Sequence, residues 1–401
     1  MAELSENNLQ RGPSLNKELI RNIIFAFGLF CLEGCAIDPS NLSDNIPKDT
    51  DVEELPYVCT KTPSQKGSRI LGYDILDSSE SGSFNQSLQK AKTLGLEFMS
   101  LHLDWSQIET TAGAGATSGN FEDPSNFLAT LNQLSIDEGI KISLTIRPVD
   151  TTGKTVPSDL DSVRFNDANL NTRFQSMLAF VFSKISPSNL TSLMVGNEID
   201  TFDPGIDTHF WSDYGAFLFN TRLYLQANHP PLQLGFVGTF KGLTAGTLRD
   251  QGVFTAWSGV VDVVGATYYP INADFSVKDP ASPIIDFQIL TDEFSGKPIH
   301  VQEAGYQSAA LNGSNERKQS EFFCYLFSAW DNHATHIESM SILRLHDFSQ
   351  SAAETIAANY GNTDTGFVEY LRTLGIVDFA ASGTNKEAFD MIKAQSEVRG
   401  W

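Results

Sequence analysis

Two glutamates in this chain follow short apolar runs at widely separated positions. Glu198 belongs to "VGNEID", where the run "LTSLMVG" is followed at once by Asn197, Glu198 and Asp200. Glu303 comes directly after the run "KPIHVQ". Three polar side chains close a core poorly, so the first stretch is either a surface turn or the rim of a reaction site. If the two acids meet with one protonated and one ionised, they could act as a general acid and a nucleophile or base.

Eight short apolar runs from residue 68 onward could position these acids. The runs alternate with polar loops and amphipathic helices, and strands that alternate with helices pair in parallel. Eight such units close into a barrel, so we predict an α/β fold of the (β/α)8 TIM-barrel class over residues 68–401. The runs are 69–73, 96–103, 140–146, 190–196, 231–238, 260–269, 297–302 and 339–345.

A barrel also predicts where the chemistry takes place. The loops after the carboxyl ends of its strands build the site, and Glu198 and Glu303 follow the fourth and the seventh run. No other two acids of the sequence follow strands with such apolar approaches. No glycine-rich phosphate loop follows the first run, which argues against a nucleotide-binding fold. The loops after the strands are long, which favours an open cleft and endo action, although a long loop could also close one end of the cleft.

The sequences around both acids resemble the signatures of the clan A glycoside hydrolases. "VGNEID" is similar to the segment after strand four that provides the acid/base, and "GKPIHVQEAGY" to the segment after strand seven that provides the nucleophile. The segments "SLQKAKTLGLEFMSLHLDWSQIE" and "TLGIVDFAASGTNKEAFDMI" resemble the clan's opening and closing segments. The resemblance implies that Glu198 is the acid/base, Glu303 the nucleophile and Asn197 a donor to the sugar 2-hydroxyl, in a reaction that retains the anomeric configuration.

Two features bear on the place of this chain within the clan. "GNEI" followed by a glycine-containing loop is most similar to the endo-β-1,4-galactanases, with mannanase- and glucanase-like enzymes close to them. The end of strand eight departs from the clan's pattern, because "LRLHDFS" stands where many members have Trp. This departure leaves the substrate open and motivates a second hypothesis, a non-catalytic carbohydrate-binding or adhesive surface lipoprotein on the same scaffold.

Three tyrosines near the predicted strand ends are candidates for substrate binding. Tyr268 and Tyr269 end strand six, and Tyr306 follows strand seven. Each could hydrogen-bond the nucleophile or stack on a sugar. The alternative for all three is ordinary packing at the barrel mouth.

Strands two and three end in further candidates. Arg147 could hold Glu303 ionised, or it could form a structural ion pair with Asp150. His102 and Trp105 finish strand two. The indole of Trp105 could provide a platform for a neutral sugar, or it could pack in the core.

The composition limits the partners that the chain can bind. Its formal charge of −22, without a cluster of Lys and Arg, excludes nucleic acid and disfavours anionic lipid. The seven histidines and four cysteines lack the spacings of metal ligands, so we expect no metal and no cofactor. The expected partner is a neutral poly- or oligosaccharide, bound by a monomer.

The N-terminal 34 residues are predicted to be a signal peptide of the lipoprotein type. Basic residues precede the apolar run 23–32, which is too short to span a bilayer. The run ends in "LEGC", which resembles the bacterial lipobox and implies acylation of Cys35 and anchoring to a membrane, in the periplasm or at the cell surface. Secretion and an uncleaved anchor are the alternatives. Residues 35–67 are acidic and contain prolines, which indicates a tether, or else an extension packed on the barrel.

Overall fold

The computed structural model describes residues 63–75, 84–111, 116–117, 119–151, 153–205, 207–379 and 383–401. The predicted signal peptide, Cys35 and most of the predicted tether lie outside these residues. Within the described ranges, no helix has both the length and the hydropathy that a membrane span requires.

In the described part of the chain, eight parallel strands form a closed barrel. Each strand pairs with the next along the chain, and the last pairs with the first. Each predicted run overlaps one observed strand, so the predicted (β/α)8 fold is confirmed. In chain order, β1 to β8 are Ile70–Tyr73, Phe98–Asp104, Lys141–Asp150, Leu190–Asn197, Leu234–Thr239, Val263–Tyr268, Ile299–Ala304 and Ile337–Ile342.

The barrel interior is polar at its centre, whereas the outer face of the sheet is apolar. Ser100 and Ser341 hydrogen-bond to each other at 2.7 Å between β2 and β8, and the hydroxyl of Ser143 donates to Gln302 at 3.0 Å between β3 and β7. The alternate residues of these strands are buried against the surrounding helices. Because side chains alternate along a strand, the main apolar core lies between the sheet and the helices.

Helices surround the sheet, and their amphipathic spacing explains which face is buried. In the first helix, Phe84, Leu88 and Ala91 lie on one buried face. The second helix ends at Gly139, which takes the left-handed conformation that few other residues tolerate, with φ +68°. The surrounding helices are Phe84–Lys92, Phe127–Glu138, Ala168–Lys184, Phe210–Asn228, Val253–Ser258, Pro283–Glu293, Glu316–Asn332 and Glu387–Glu397.

Short elements decorate the barrel mouth. The largest is a pair of helices, Gln350–Asn359 and Thr365–Arg372, which precedes the last helix of the barrel. The remaining short helices are Trp105–Ile108, Phe240–Thr244 and Thr247–Asp250, with 3-10 turns at Pro124–Asn126, Ser158–Leu160, Pro187–Asn189, Ile199–Thr201 and Ala310–Asn312, and the short strands are Glu109–Thr110, Asn120–Phe121 and Gly153–Lys154.

Candidate active site

Thr267 connects the two glutamates at the barrel mouth. Its hydroxyl donates a hydrogen bond of 2.7 Å to Oε1 of Glu198, which follows β4. In the pairing of β6 with β7, Thr267 is the direct partner of Glu303. Neighbouring strands lie about 4.8 Å apart. The carboxyl group of Glu198 is bound to Thr267, so it lies beside the position on β6 that is next to Glu303 on β7. The structure therefore brings the two predicted acids together at the barrel mouth.

The backbone around both acids is irregular. Glu198 itself has φ +45° and ψ +43°, a conformation that is costly for a residue with a side chain. Two residues earlier, Gly196 has φ +84°, and a Cβ there would lie 2.5 Å from Ile199. On the other side, the pairing of β7 with β6 shifts register between Val301 and Glu303. Such irregularities re-aim side chains at barrel rims, and here they accompany both carboxyl groups.

The two carboxyl groups differ in what stabilises their ionised forms. Burial, followed by the charge of Glu303, raises the pKa of Glu198 to about 8, and the hydrogen bond from Thr267 opposes this only in part. Burial also raises the pKa of Glu303 to about 7, but the hydroxyl of Tyr269, 2.6 Å from Oε2, and the charge of Arg147 favour its ionised form. Both pKa values are raised, and the groups around the pair favour the proton on Glu198 over Glu303. This is the division of protonation that an acid and a nucleophile require.

Arg147 lies beneath the mouth and binds two further acids. Its guanidinium contacts Asp104 at 2.7 Å and Asp150 at 2.9 Å. The predicted structural pair with Asp150 is therefore present, and the same positive charge also lowers the pKa of Glu303. The Nδ2 of Asn197 donates to Asp150 at 3.1 Å, while its buried Oδ1 has no hydrogen-bond partner in the described part of the chain. Asn197 thus keeps one amide hydrogen and one acceptor for a ligand at the mouth.

His102 also lies at the mouth, as predicted. Its Nδ1 is 3.9 Å from Oε1 of Glu303, which is too long for a hydrogen bond. Burial, reinforced by the charge of Arg147, lowers the pKa of His102 to about 3, so the imidazole is neutral and forms no ion pair. Its Nε2 is buried and has no hydrogen-bond partner among the described residues. A neutral imidazole in this position can donate to or accept from a sugar hydroxyl.

The prediction that Trp105 provides a sugar platform is wrong. The residue is fully buried, and its indole nitrogen donates to the buried carboxylate of Glu109 at 2.5 Å. Its ring packs edge-on against Phe174, with ring centroids 5.0 Å apart. Trp105 begins a short helix after β2, so the alternation of the strand no longer sets its direction.

Of the three candidate tyrosines, Tyr269 alone contacts the glutamates. Tyr268 is buried on the helix side of β6 and donates to Asp286 at 2.7 Å. Tyr306 is also buried, and its hydroxyl donates to the backbone carbonyl of Lys278 at 2.7 Å. The predictions that Tyr268 and Tyr306 bind substrate are therefore wrong, because both hydroxyls are used inside the protein.

The residues after β8 that depart from the clan's pattern have structural roles. Asp347 forms a buried ion pair of 2.7 Å with Lys386, and the Nε2 of His346 lies 3.2 Å from the hydroxyl of Ser87. Among the described residues, no group of three or more His, Cys, Asp or Glu side chains is arranged to hold a metal ion.

Sequence reasoning missed three residues near the acids. Thr267 shares the face of β6 with Tyr269, so the alternation of the strand was a usable signal. Tyr360 and Tyr370 come from the helix pair after β8, and no sequence signal placed that pair over the mouth. Burial, followed by the charges of both glutamates, raises the pKa of Tyr370. Its ring lies 6.0 Å, between centroids, from the ring of Tyr269, which binds Glu303.

No family model matches the sequence, and no curated protein is similar to it in sequence. Several solved structures are similar to the fold. A family 39 glycoside hydrolase from the gut symbiont Bacteroides cellulosilyticus WH2 has a TM-score of 0.55 at 13% identity, over 83% of this chain and 64% of that protein. The chain has the barrel fold of the clan A glycoside hydrolases.

Two further similar structures involve a β-linked sugar, one in the name of the enzyme and the other as the bound ligand. An exo-β-1,4-mannosidase from Opitutaceae bacterium strain TAV5 has a TM-score of 0.59 at 12% identity, over 84% of this chain and 61% of that protein. The GH5_18 protein of Streptomyces cattleya in complex with Manβ1-4GlcNAc has a TM-score of 0.59 at 14% identity, over 83% of this chain and 81% of that protein. Identities this low show the fold alone, and the predicted similarity to the galactanases within the clan is not confirmed.

Proposed function

We propose that this protein is a retaining glycoside hydrolase that cleaves β-glycosidic bonds of a neutral poly- or oligosaccharide. The observation that carries the proposal is the pair of unequal acids. Glu198 after β4 and Glu303 after β7 converge through Thr267, and the hydroxyl of Tyr269 together with the charge of Arg147 favours the ionised form of Glu303. The barrel of glycoside hydrolases is a second support.

In the proposed reaction the oxygens of Glu303 attack the anomeric carbon while Glu198 donates its proton to the departing glycosidic oxygen. The product of this step is a glycosyl-enzyme ester on Glu303. Glu198, now ionised, takes a proton from water as the water attacks the same carbon and releases the sugar with its original configuration. The hydroxyl of Tyr269 and the charge of Arg147 keep Glu303 ionised and ready to attack.

The charges at the mouth support a neutral substrate. Asp104 and Asp150 offset the charge of Arg147, and Glu303 adds a further negative charge beside them. An acidic sugar would meet repulsion in a partly buried site where charges interact strongly. The names of two similar structures state β-linked mannose, so β-mannosides belong in the first assay panel with β-glucosides and β-galactosides.

The alternative, a carbohydrate-binding scaffold without catalysis, finds no support in the site. Burying two carboxyl groups beside each other costs free energy, because each disfavours the ionised form of the other. A binding surface gains nothing from that cost, whereas hydrolysis depends on it.

The variant Glu303→Gln tests the proposed reaction. We expect hydrolysis of p-nitrophenyl β-glycosides to fall by several orders of magnitude, because the nucleophile is lost. Glu138→Gln, which changes a surface residue paired with Lys92, is the matched control and should keep wild-type rates. Proton NMR of the first product should show the configuration of the substrate. An inverted product, or full activity of Glu303→Gln, would contradict the mechanism.

We further propose that the protein is exported and anchored to a membrane through Cys35. Cys324 lies buried in the helix Glu316–Asn332 and is disulfide-bonded, and disulfides persist in oxidising compartments outside the cytosol. Metabolic labelling with a palmitate analogue tests the anchor. Wild-type protein should be labelled and recovered with membranes, whereas Cys35→Ser should be unlabelled. Labelling of the Ser variant would place the anchor elsewhere.

A further inference from the structure

Cys324 lies fully buried in the helix Glu316–Asn332, which connects β7 to β8, and its sulfur is disulfide-bonded. The chain contains three other cysteines, Cys31, Cys35 and Cys59. All three precede residue 63, where the described part of the chain begins. Within one chain, the partner of Cys324 is therefore one of these three.

The chain before β1 is held against the end of the same helix. The backbone amide of Ser64 donates to Oδ2 of Asp331 at 3.2 Å, and Nη1 of Arg69 donates to Oδ1 of the same carboxylate at 2.9 Å. That end of the helix leads into β8, so it lies at the amino-terminal side of the barrel, opposite the mouth. Residues 64–69, the N-terminal strap, are therefore fixed beside the helix that carries Cys324.

Asp331 and Cys324 lie on one face of this helix. They are seven residues apart, close to two turns, so Cys324 lies about 10 Å from Asp331 along the helix axis. Cys59 precedes Ser64 by five residues, and five extended residues span up to about 17 Å. A disulfide joins Cα atoms about 4.4–6.8 Å apart. From Ser64 the chain is therefore long enough to return along the helix and place Cys59 against Cys324.

The other two cysteines are poorer partners for Cys324. Cys35 precedes Ser64 by 29 residues, and the chance that a flexible chain brings its ends together falls with about the three-halves power of its length. A connection of five residues is therefore favoured over one of 29 by a factor on the order of ten. The proposed acylation also occupies the sulfur of Cys35, and Cys31 belongs to the predicted signal peptide.

We propose that Cys59 and Cys324 form a disulfide that fastens the chain before β1 to the outside of the barrel. Its formation joins the two sulfur atoms, releases two protons and transfers two electrons to an oxidant of the disulfide class, which is reduced to two thiols. The bond goes beyond the glycosidase function, and only the exclusion of Cys35 rests on the proposed anchor. With this bond, a pull from that anchor reaches the helix Glu316–Asn332 covalently, and not through the hydrogen bonds of the N-terminal strap alone.

Mass spectrometry of unreduced tryptic peptides from the full-length protein identifies the partner. We expect the peptide 319–344, which contains Cys324, to be linked to the peptide 49–61, which contains Cys59. Reduction should separate the two peptides. The other two cysteines share the peptide 22–48. A link from 319–344 to 22–48, a link between two copies of 319–344, or a free thiol at Cys324 would overturn the proposal.

Cys59→Ser tests what the bond contributes. Maleimide should label Cys324 in this variant after denaturation without reductant, whereas wild type should stay unlabelled at that residue. Because the bond closes the long loop from residue 59 to residue 324, its loss should lower Tm by roughly 5–10 °C. Cys31→Ser is the matched control and should keep both the wild-type Tm and an unlabelled Cys324. An unlabelled Cys324 in Cys59→Ser, or equal Tm values for the two variants, would overturn the proposal.

Cys35→Ser separates failure of the bond from failure of the proposed anchor. This variant should lose the palmitate label and keep the link between the peptides 49–61 and 319–344. Loss of that link in Cys35→Ser would overturn the pairing of Cys59 with Cys324. A wild-type protein that carries the link but no palmitate label would overturn the anchor alone.

Discussion

Replacing Tyr269 by Phe should shift the pH dependence of hydrolysis in one direction. The hydroxyl of Tyr269 lies 2.6 Å from Oε2 of Glu303 and favours the ionised carboxylate. A hydrogen bond to a charged group contributes about 1.5–3 kcal/mol, and one pKa unit corresponds to about 1.4 kcal/mol. Tyr269→Phe should therefore raise the pKa of Glu303 by about one to two units. The phenyl ring keeps its packing against Tyr370, so the fold should survive the change.

The assay is kcat/KM between pH 5 and 9 with 2,4-dinitrophenyl β-glycosides. Such a leaving group departs without a proton from Glu198, so the profile reports mainly the ionisation of Glu303. In wild type the acidic limb should lie near pH 7, because burial raises that pKa to about 7. In Tyr269→Phe it should lie one to two units higher, so kcat/KM at pH 6 should fall by roughly 10-fold to 100-fold.

The control is Tyr306→Phe, which removes a buried tyrosine hydroxyl that donates to a backbone carbonyl away from the acids. It should leave the acidic limb where it is in wild type. If Tyr269→Phe leaves the limb unmoved, or lowers it, the hydrogen bond does not hold the nucleophile ionised and the reasoning from this geometry is refuted.

Three further predictions follow from burial at and around the site. The pKa of Glu303 is higher in the folded protein than in the unfolded chain. Its protonated form therefore contributes to the free energy of unfolding; this contribution is fully present below the unfolded pKa and is lost as pH rises through about 7. Thermal melts of Glu303→Gln should therefore lie a few degrees above wild type at pH 8, and unchanged melts at pH 8 would contradict this. Thr267→Val removes a hydrogen bond that lowers the pKa of the acid/base, so the alkaline limb for poor leaving groups should move upward, and a downward shift would argue against the assigned roles. Arg173→Met should cost about 3–5 kcal/mol in urea unfolding because it strands the fully buried Glu109. Lys393→Met breaks a pair whose partner, Glu397, is itself 60% exposed, and should cost less than about 1 kcal/mol; equal losses would refute the distinction.

The strands and the two acids could be predicted because their signals are local. A strand buried in a parallel barrel is a continuous apolar run, and all eight observed strands overlap such runs. Once eight parallel strands close into a barrel, all their carboxyl ends lie at the same mouth, whatever conformation the loops adopt. Glu198 and Glu303 were therefore placed at the same mouth by topology, although they are far apart along the chain.

Side-chain direction at the strand ends was harder to predict. Tyr268 and Tyr269 are neighbours, yet one packs among the helices and the other binds Glu303, as alternation along a strand requires. For residues beyond the point where a strand becomes irregular or ends, however, the alternation of side chains would have predicted the wrong side-chain direction. Trp105 lies in a helix that begins where β2 ends, and its contacts come from elements much later in the chain. Hydrophobic patterns carry no information on such contacts.

The helix pair after β8 was the least predictable part of the site because only tertiary packing places it. Its sequence shows two short amphipathic helices, and nothing in that pattern says that Tyr370 meets Tyr269 at the mouth. Its effect is nevertheless electrostatic as well as steric. Tyr370 of this pair packs against Tyr269, which binds Glu303, and burial is the largest cause of the raised pKa values of both glutamates. Substitutions that open this layer to water should therefore lower both pKa values and weaken acid catalysis by Glu198.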